Sequence, residues 1–308
     1  ALAQLGLSHG GMGIRNPAVH APAAYLASLA ATKDLCCALD PGFDATDRAG
    51  GLRRASTELE LRAQVLEAAS WDRGNLPLSH KELSVLIDAA ARQKLLEEHQ
   101  QDVSFCAHVA LCSLPGAGAW LTSPLADDGR EMDAPLMQVA LKRRARVPGY
   151  AQDDRCPCCR DVLDKWGDHA LTWSCGGDRN VRHNAVRNVV FEDASEAGLR
   201  PEREKAGLLP SRPTVYGLPA GDSGRRPADV WFPRGDSGRG EAWDFAVSSG
   251  MRTDLIRGSL ESVFAPHEAY KRADKRTAEG SQSKGFLVIP MILEAHAGGS
   301  CPTARGGP

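Results

Sequence analysis

A cluster of cysteines and histidines constrains the fold of this chain more than any other feature of its sequence. Cys156 and Cys159 are separated by two residues, His169 follows after nine more, and Cys175 after a further five. Zn²⁺ takes four tetrahedral ligands, usually Cys and His, with two from a tight turn and two from the following segment. The spacing therefore predicts a zinc site formed by these four side chains.

The sequence alone does not decide which residues supply two of the ligands of this zinc site. Cys158 can replace Cys159 as a C-x-C pair with Cys156, and His183 is a less favoured fourth ligand because it begins the next helical segment. The alternative to a metal site is an accidental group of buried thiols, and the density of the cluster argues against it. With all four ligands supplied by the protein, zinc is expected to be structural and to contribute roughly 10 kcal/mol or more to local folding.

The cysteines and the hydropathy of the sequence indicate the cellular compartment of the protein. The 308-residue chain has nine cysteines, an odd number, and most of them are clustered. That pattern differs from a disulfide framework and suits a reducing environment. The sequence contains no apolar run near the ~20 residues of a membrane helix and no leader-like segment. We therefore expect a nuclear or cytoplasmic protein, and the initial Ala1 suggests a fragment of a longer product.

The first 150 residues are predicted to be mostly helical, with no obvious chemistry. Ser79 and Glu82 form the S-x-x-E pattern of a capping box. A short apolar segment over 119–125 ends at Pro124. Apolar residues recur at helical spacing in four segments, 17–32, 57–70, 78–100 and 134–148.

The sequence after residue 178 predicts a mixed α/β region. Aromatic and β-branched residues predict two strands joined by a hairpin rich in Gly, Pro and Asp. The predicted elements are a helix at 181–198, strands at 229–232 and 241–247, a helix over 252–279 and a buried strand at 285–293. The fold class is therefore α+β with several domains.

Positive charge is concentrated around the Cys/His cluster. Residues 141–187 carry ten Lys and Arg against six Asp and Glu, whereas residues 1–140 carry eleven against seventeen. Arg179, Arg182 and Arg187, with His183, are spaced so that several of them share one helical face. This pattern predicts contacts with a nucleic acid. A solvated helix face is the alternative interpretation.

Two aspartates fall on the paired strands of the predicted hairpin. Asp229 begins the first strand and Asp244 lies in the second, and antiparallel pairing brings such side chains within a few ångströms of one another. Paired carboxylates bind Mg²⁺, which retains waters and takes phosphate oxygens. Glu204 can supply a third oxygen. Solvated or capping aspartates are the alternative.

Short motifs in this region resemble a known family. "GDHAL", "RHN", "RPADV" and "DFAV", together with two acids on adjacent strands in an αβββαβ order, resemble the C-terminal part of non-LTR retrotransposon reverse transcriptase polyproteins. Those proteins place a zinc knuckle before a restriction-like endonuclease of the PD-(D/E)XK type. The resemblance implies a post-polymerase connector over 1–150, a knuckle over 151–180, an endonuclease over 181–296 and a disordered tail over 297–308.

The resemblance also implies an activity and its residues. An enzyme of this family nicks target DNA with Mg²⁺ and leaves a 3′-hydroxyl primer for target-primed reverse transcription; its partners are DNA and element RNA. Asp229 and Asp244 match the catalytic acids, and Glu204 matches less well. The basic motif departs from the family, because Ala246 stands where a lysine is expected. Lys271, or Lys275 one turn further on, is the candidate replacement. The polymerase core is absent from the sequence.

Two other functions fit the same features. In the first, the chain is an inactive remnant of a retrotransposon protein that still binds nucleic acid through the zinc knuckle and the basic helix. In the second, it is a host structural protein with a zinc-stabilised fold and no nucleic-acid partner.

Overall fold

The computed structural model shows a mixed α/β protein in which about half of the described residues are helical. The chain divides into two compact units, residues 1–113 with 117–147 (unit 1) and residues 114–116 with 148–308 (unit 2). None of the described helices combines the length and apolar composition needed to cross a membrane. The structure describes residues 1–43, 51–62, 79–122, 132–172, 178–209, 228–235, 238–252, 255–257, 277–295 and 298–300.

Unit 1 contains helices whose starts follow from their capping residues. Asn16, Asp102 and Asp133 each accept a backbone N–H of the first turn. The capping box predicted at Ser79 and Glu82 is confirmed, with both reciprocal bonds present. The described helices of this unit are α1 (Pro17–Leu39), α2 (Gly51–Arg62), α3 (His80–Glu98), α4 (Val103–Cys112) and α5 (Ala134–Arg144).

The main apolar core of unit 1 lies between the first three helices. Leu26 of α1, Leu59 of α2 and Ile87 of α3 are almost completely buried in one cluster. The helix predicted over 57–70 instead begins at Gly51, and residues 63–70 lie outside the described residues. In the described part of the predicted apolar segment 119–125, which ends at residue 122, Ala119–Leu121 form a 3-10 turn.

A buried arginine joins separate segments of unit 1. Arg144, at the end of α5, is 3% exposed. Its guanidinium donates to the carbonyls of Gly11 and Ala117, each at 2.8 Å, and of Leu7 at 3.1 Å, with a longer contact to Cys112 at 3.4 Å. A buried guanidinium is stable only when its donors are satisfied, so these carbonyls hold the N-terminal segment against the later helices.

Unit 2 contains a small hairpin and a five-stranded sheet. The hairpin pairs β1 (Asp154–Arg155) with β2 (Val162–Leu163), and the sheet has the order β3-β4-β5-β6-β7. All neighbouring strands of the sheet are antiparallel except β5 and β6, which are parallel. The remaining elements are α6 (Asp168–Thr172), α7 (Asp178–Glu196), β3 (Glu202–Arg203), β4 (Val230–Phe232), β5 (Glu241–Ser248), α8 (Thr277–Lys284), β6 (Leu287–Glu294) and β7 (Gly298–Ser300).

Both faces of the sheet are covered by apolar side chains. On one face, Val230, Phe232 and Phe245 are buried against residues of α7 such as Ala194. On the other face, Trp231, Ala242 and Phe286 form a second cluster. Side chains along a strand alternate between faces, so Trp243 and Phe245 face α7 while Ala242 faces the second cluster.

Two predicted segments differ from the structure or lie largely outside it. The strands predicted around 229–232 and 241–247 and their antiparallel pairing are confirmed. Most of the helix predicted over 252–279 falls outside the described residues.

Within the predicted tail 297–308, Gly298–Ser300 form edge strand β7 on β6. Backbone pairing alone is enough for such an edge strand, which is why its Gly-rich sequence gave no signal.

Candidate functional site

The Cys/His cluster is carried by a tight hairpin. The strands β1 and β2 pair in the register Arg155↔Val162, and the intervening turn closes with a bond from the Cys156 N–H to the Asp161 carbonyl at 2.8 Å. The Arg160 N–H donates to the Cys156 carbonyl at 3.1 Å, with Arg160 at a φ of 68°. This turn folds the chain back so that the sulfurs of Cys156 and Cys159 lie on the same side.

The histidine of the cluster is positioned by one aspartate. Asp164 accepts the His169 N–H on Oδ2 at 2.7 Å and the Trp166 and Asp168 N–H groups on Oδ1, each at 3.0 Å. Asp168 and His169 belong to the first turn of α6, where backbone N–H groups have no intrahelical acceptor, and Trp166 lies two residues before it. Asp164 therefore fixes the start of the short helix that carries His169.

The structure brings together three of the predicted zinc ligands. The ligand atoms of Cys156, Cys159 and His169 all lie within 4.8 Å of one another. Cys159 Sγ and His169 Nε2 are 3.2 Å apart. Cys158 is exposed and not part of this group. Cys175 lies outside the described residues. A Cys₂His set at these distances fits a metal that takes sulfur and nitrogen ligands, as zinc does.

The two cysteines of this group differ in acidity. Hydrogen bonds from the backbone N–H groups of Cys159 and Cys158 to its sulfur lower the pKa of Cys156 to about 7. The Asp161 N–H lowers the pKa of Cys159, but burial and the hydrogen bond with Cys156 outweigh it, so the pKa of Cys159 lies above its ordinary value. Thiolates are the metal-binding form, so Cys156 is the thiol of the pair prepared for a cation.

A second polar cluster lies where α7 crosses the start of β4. His183 and Arg187 are four residues apart and share one face of α7. His183 Nε2 lies 3.1 Å from Asp229 Oδ1, and Arg187 forms an ion pair with Glu204. The two acids are adjacent in space, because the Glu204 N–H donates to the Asp229 carbonyl at 3.0 Å.

This second cluster is partly open to solvent. The side chains of Asp229 and Arg187 are 18% and 13% exposed, whereas those of His183 and Glu204 are 28% and 40% exposed. Asp229 Oδ2 also accepts the Phe245 N–H at 2.7 Å, which anchors the carboxylate to β5. Within the described residues, these acids and His183 do not form a group of three ligand atoms as tight as the cysteine cluster.

Asp244 lies level with Asp229 in the sheet. The register Val230↔Trp243 sets Asp229, one residue before β4, opposite Asp244. The Asp229 carboxylate contacts His183 of α7. Lys271 and Lys275 lie outside the described residues.

Three of the basic residues predicted to contact nucleic acid, Arg182, His183 and Arg187, make contacts within unit 2. Arg182 Nη1 donates to the Leu171 carbonyl at 2.9 Å and so joins α7 to α6. Arg187 and His183 contact the two acids, and the side chain of Arg179 lies outside the described residues. The spacing of His183 and Arg187 was the available signal that they act together, but their acidic partners lie 46 and 17 residues further on.

The comparisons with known proteins add no identification. No model of a protein family matches the chain, and neither curated proteins nor solved structures match it.

Proposed function

We propose that unit 2 is a metal-dependent DNA endonuclease whose sheet domain is preceded by a zinc knuckle. The observation that supports this proposal is the meeting of Asp229 and Glu204, each one residue outside the paired strands β4 and β3, with His183 and Arg187 of α7. Phosphodiester hydrolysis uses this combination, because carboxylates hold a divalent cation and basic groups contact the phosphate.

The carboxylates of Asp229 and Glu204 have the chemistry that Mg²⁺ prefers, namely partly exposed anionic oxygens. When bound, the ion supplies a hydroxide nucleophile and stabilises charge on the phosphoryl oxygens. The anchoring of Asp229 Oδ2 by the Phe245 N–H keeps one carboxylate oxygen in place and leaves Oδ1 facing His183. We assign Asp229 the principal metal-binding role and Glu204 the second.

The basic side chains of α7 have two roles in this proposal. Without a cation, His183 and Arg187 offset the negative charge of the two acids. With substrate, the same side chains are suited to the phosphate, since a guanidinium binds two phosphate oxygens through parallel N–H bonds. Asp244 and Lys271 keep their proposed roles as a further metal ligand and as the stabiliser of the scissile phosphate. The nick would supply a 3′-hydroxyl primer for target-primed reverse transcription.

Nicking of supercoiled plasmid in the presence of Mg²⁺ tests this function. We expect Asp229→Asn to abolish nicking and Glu204→Gln to reduce it, with zinc content unchanged. Lys271→Ala should slow nicking by about two orders of magnitude, the scale of one lost electrostatic contact to the transition state. Glu202→Gln is the matched control, because Glu202 lies two residues before Glu204 and pairs with Lys205 instead.

One experimental outcome would contradict the endonuclease proposal. If protein with full zinc content binds DNA but does not cleave it with either Mg²⁺ or Mn²⁺, the enzyme proposal fails. If only Lys275→Ala slows nicking while Lys271→Ala does not, Lys275 replaces Lys271 as the proposed catalytic lysine and the function stands.

A nucleic-acid-binding remnant is the second candidate, and the exposed knuckle surface favours it. Arg155 and Arg160 are both exposed on the hairpin that carries the zinc ligands. Each arginine that contacts a phosphate releases counterions, so its change to Ala should reduce the log–log salt slope of DNA binding by about 1. Gel shifts over a range of salt concentrations measure this slope. Binding that does not depend on ionic strength would contradict the proposal.

A further inference from the structure

Arg182 of α7 contacts the short helix that carries the knuckle histidine. Its Nη1 donates to the carbonyl of Leu171 at 2.9 Å. Leu171 lies in the last turn of α6, where backbone carbonyls have no intrahelical donor. A positive charge at this end of a helix also interacts favourably with the helix dipole. Arg182 therefore caps the C-terminal end of α6, as Asp164 caps its start.

The fold of α6 depends on the knuckle that contains it. The helix has five residues, far below the ~12–15 residues that an isolated helix needs in water. It is held by the Asp164 carboxylate at its first turn and by His169, which belongs to the Cys/His group. Removal of the metal that joins His169 to the two cysteines is therefore expected to release α6 and, with it, the Leu171 carbonyl.

The residue after Arg182 belongs to the second polar cluster. His183 Nε2 lies 3.1 Å from Asp229 Oδ1. On the other side of Arg182, Val181 is 65% exposed. The side chains of α7 in the apolar cluster of the sheet all follow His183, namely Val186, Val190, Phe191 and Ala194. The start of α7 is therefore held by the polar contacts of Arg182 and His183 before its apolar packing begins.

We propose that Arg182 makes the position of His183 depend on the metal of the knuckle. With α6 folded, the Leu171 carbonyl holds Arg182 and keeps His183 against Asp229. With the metal removed, Arg182 loses this acceptor, the first turn of α7 loosens and His183 moves away from the carboxylate. Arg182 is thus a positioning residue for the acid cluster, and the knuckle regulates that cluster. The inference rests on the proposed function, because the acid cluster is the proposed nuclease centre.

The rate at which diethyl pyrocarbonate modifies His183, measured by peptide mass spectrometry, tests this coupling. The reagent acylates accessible imidazole rings. We expect chelation of zinc in the full chain to raise the rate at His183 about fivefold, the scale of one lost hydrogen bond. His80, an exposed residue of unit 1, is the internal control and should react at the same rate with and without zinc.

Variants of Arg182 separate this coupling from a general loosening of unit 2. Arg182→Met, with zinc bound, should already react about fivefold faster at His183 than the wild type, and chelation should add little. Arg182→Lys keeps a donor for the Leu171 carbonyl, so its rate should lie nearer to that of the wild type. Arg200→Met removes an exposed arginine that follows α7 and should retain the full response to zinc.

Two outcomes overturn the inference. One is a rate at His183 that is equal with and without zinc, and the other is an Arg182→Met variant that responds to zinc as fully as the wild type. If Arg182→Met does not fold, chelation of the wild type and Asp164→Ala, which removes the cap at the start of α6, decide the matter, since both should raise the rate. Nicking that requires Asp229 while the rate at His183 ignores zinc would overturn the coupling alone. Absence of nicking while the rate responds to zinc would overturn the nuclease alone.

Discussion

The knuckle and the sheet of unit 2 are held together by different means. In the described knuckle residues 148–172, only Cys156 and Gly167 are buried, and backbone hydrogen bonds and the Cys/His group define the structure. The sheet buries apolar side chains on both faces, including Phe245 and Trp231. A segment too short to bury a core takes its stability from ligand chemistry, whereas the sheet takes it from the hydrophobic effect.

The largest expected effect of this difference follows removal of the metal. Cys159→Ser, or a chelator, should remove about one zinc per chain and roughly 10 kcal/mol of local folding free energy. Hydrogen exchange should then show loss of protection in residues 149–172 and retained protection in β5. The exposed Cys158 provides the control, because Cys158→Ser should leave zinc bound. Simultaneous loss of protection in the sheet would show that the two regions do not differ as described.

The reverse experiment removes apolar contact from the sheet. Phe245 of β5 is 1% exposed and packs against residues of β4 and α7. Phe245→Ala should therefore lower the free energy of unfolding by about 3–5 kcal/mol. Urea unfolding followed by tryptophan fluorescence measures the loss, while the zinc content should stay unchanged. Val189→Ala, at an exposed position of α7, should have little effect.

A smaller effect is expected from the aspartate that supports His169. Asp164→Ala removes the acceptor of three backbone N–H groups and should weaken zinc affinity by about 10- to 100-fold, as is typical of groups that orient a metal ligand. Asp164→Asn keeps one oxygen and should lie between this variant and the wild type. Competition with a fluorescent zinc chelator gives both affinities. An unchanged zinc affinity in Asp164→Ala would mean that the turn holds His169 in place without the Asp164 carboxylate.

The smallest effect concerns the connection between the two regions. Arg182→Met removes the bond from α7 to the Leu171 carbonyl, and the loss of one such bond costs about 1 kcal/mol. Calorimetry should show a small fall in melting temperature, with the knuckle and sheet transitions further apart than in the wild type. If the two transitions instead shift together, the regions are coupled through other contacts.

Local sequence patterns were sufficient for the features that depend on neighbouring residues. The capping box at Ser79 follows from residues three apart, and the β4–β5 hairpin follows from two apolar runs around a turn. The spacing also pointed to the turn that begins at Cys156, but it left Cys158 and Cys159 as alternatives, and the structure brings Cys159 into the group. In each case the interactions that stabilise the feature join residues within one short segment of the chain.

Contacts between distant segments could not be predicted in the same way. The partners of His183 and Arg187 depend on how β3 and β4 pair beneath α7, which no local pattern encodes. The pairing that sets Asp229 opposite Asp244 was predicted from the hairpin. The contact of Asp229 with His183 was not, because it depends on the packing of α7 against the sheet.

The position of Arg144 in the chain has a consequence for synthesis. Its guanidinium satisfies carbonyls of Leu7, Gly11 and Ala117, which a ribosome makes well before it reaches residue 144. Until then those carbonyls lack the guanidinium, and the carbonyl of Leu7 accepts the N–H of its neighbour Gly10. Helices α1 to α4 can pair as they emerge, since domains fold progressively during translation. The bonds from Arg144 form only after the last turn of α5 has left the ribosome, so a chain that ends before that codon would lack the contacts that join the first residues to the later helices.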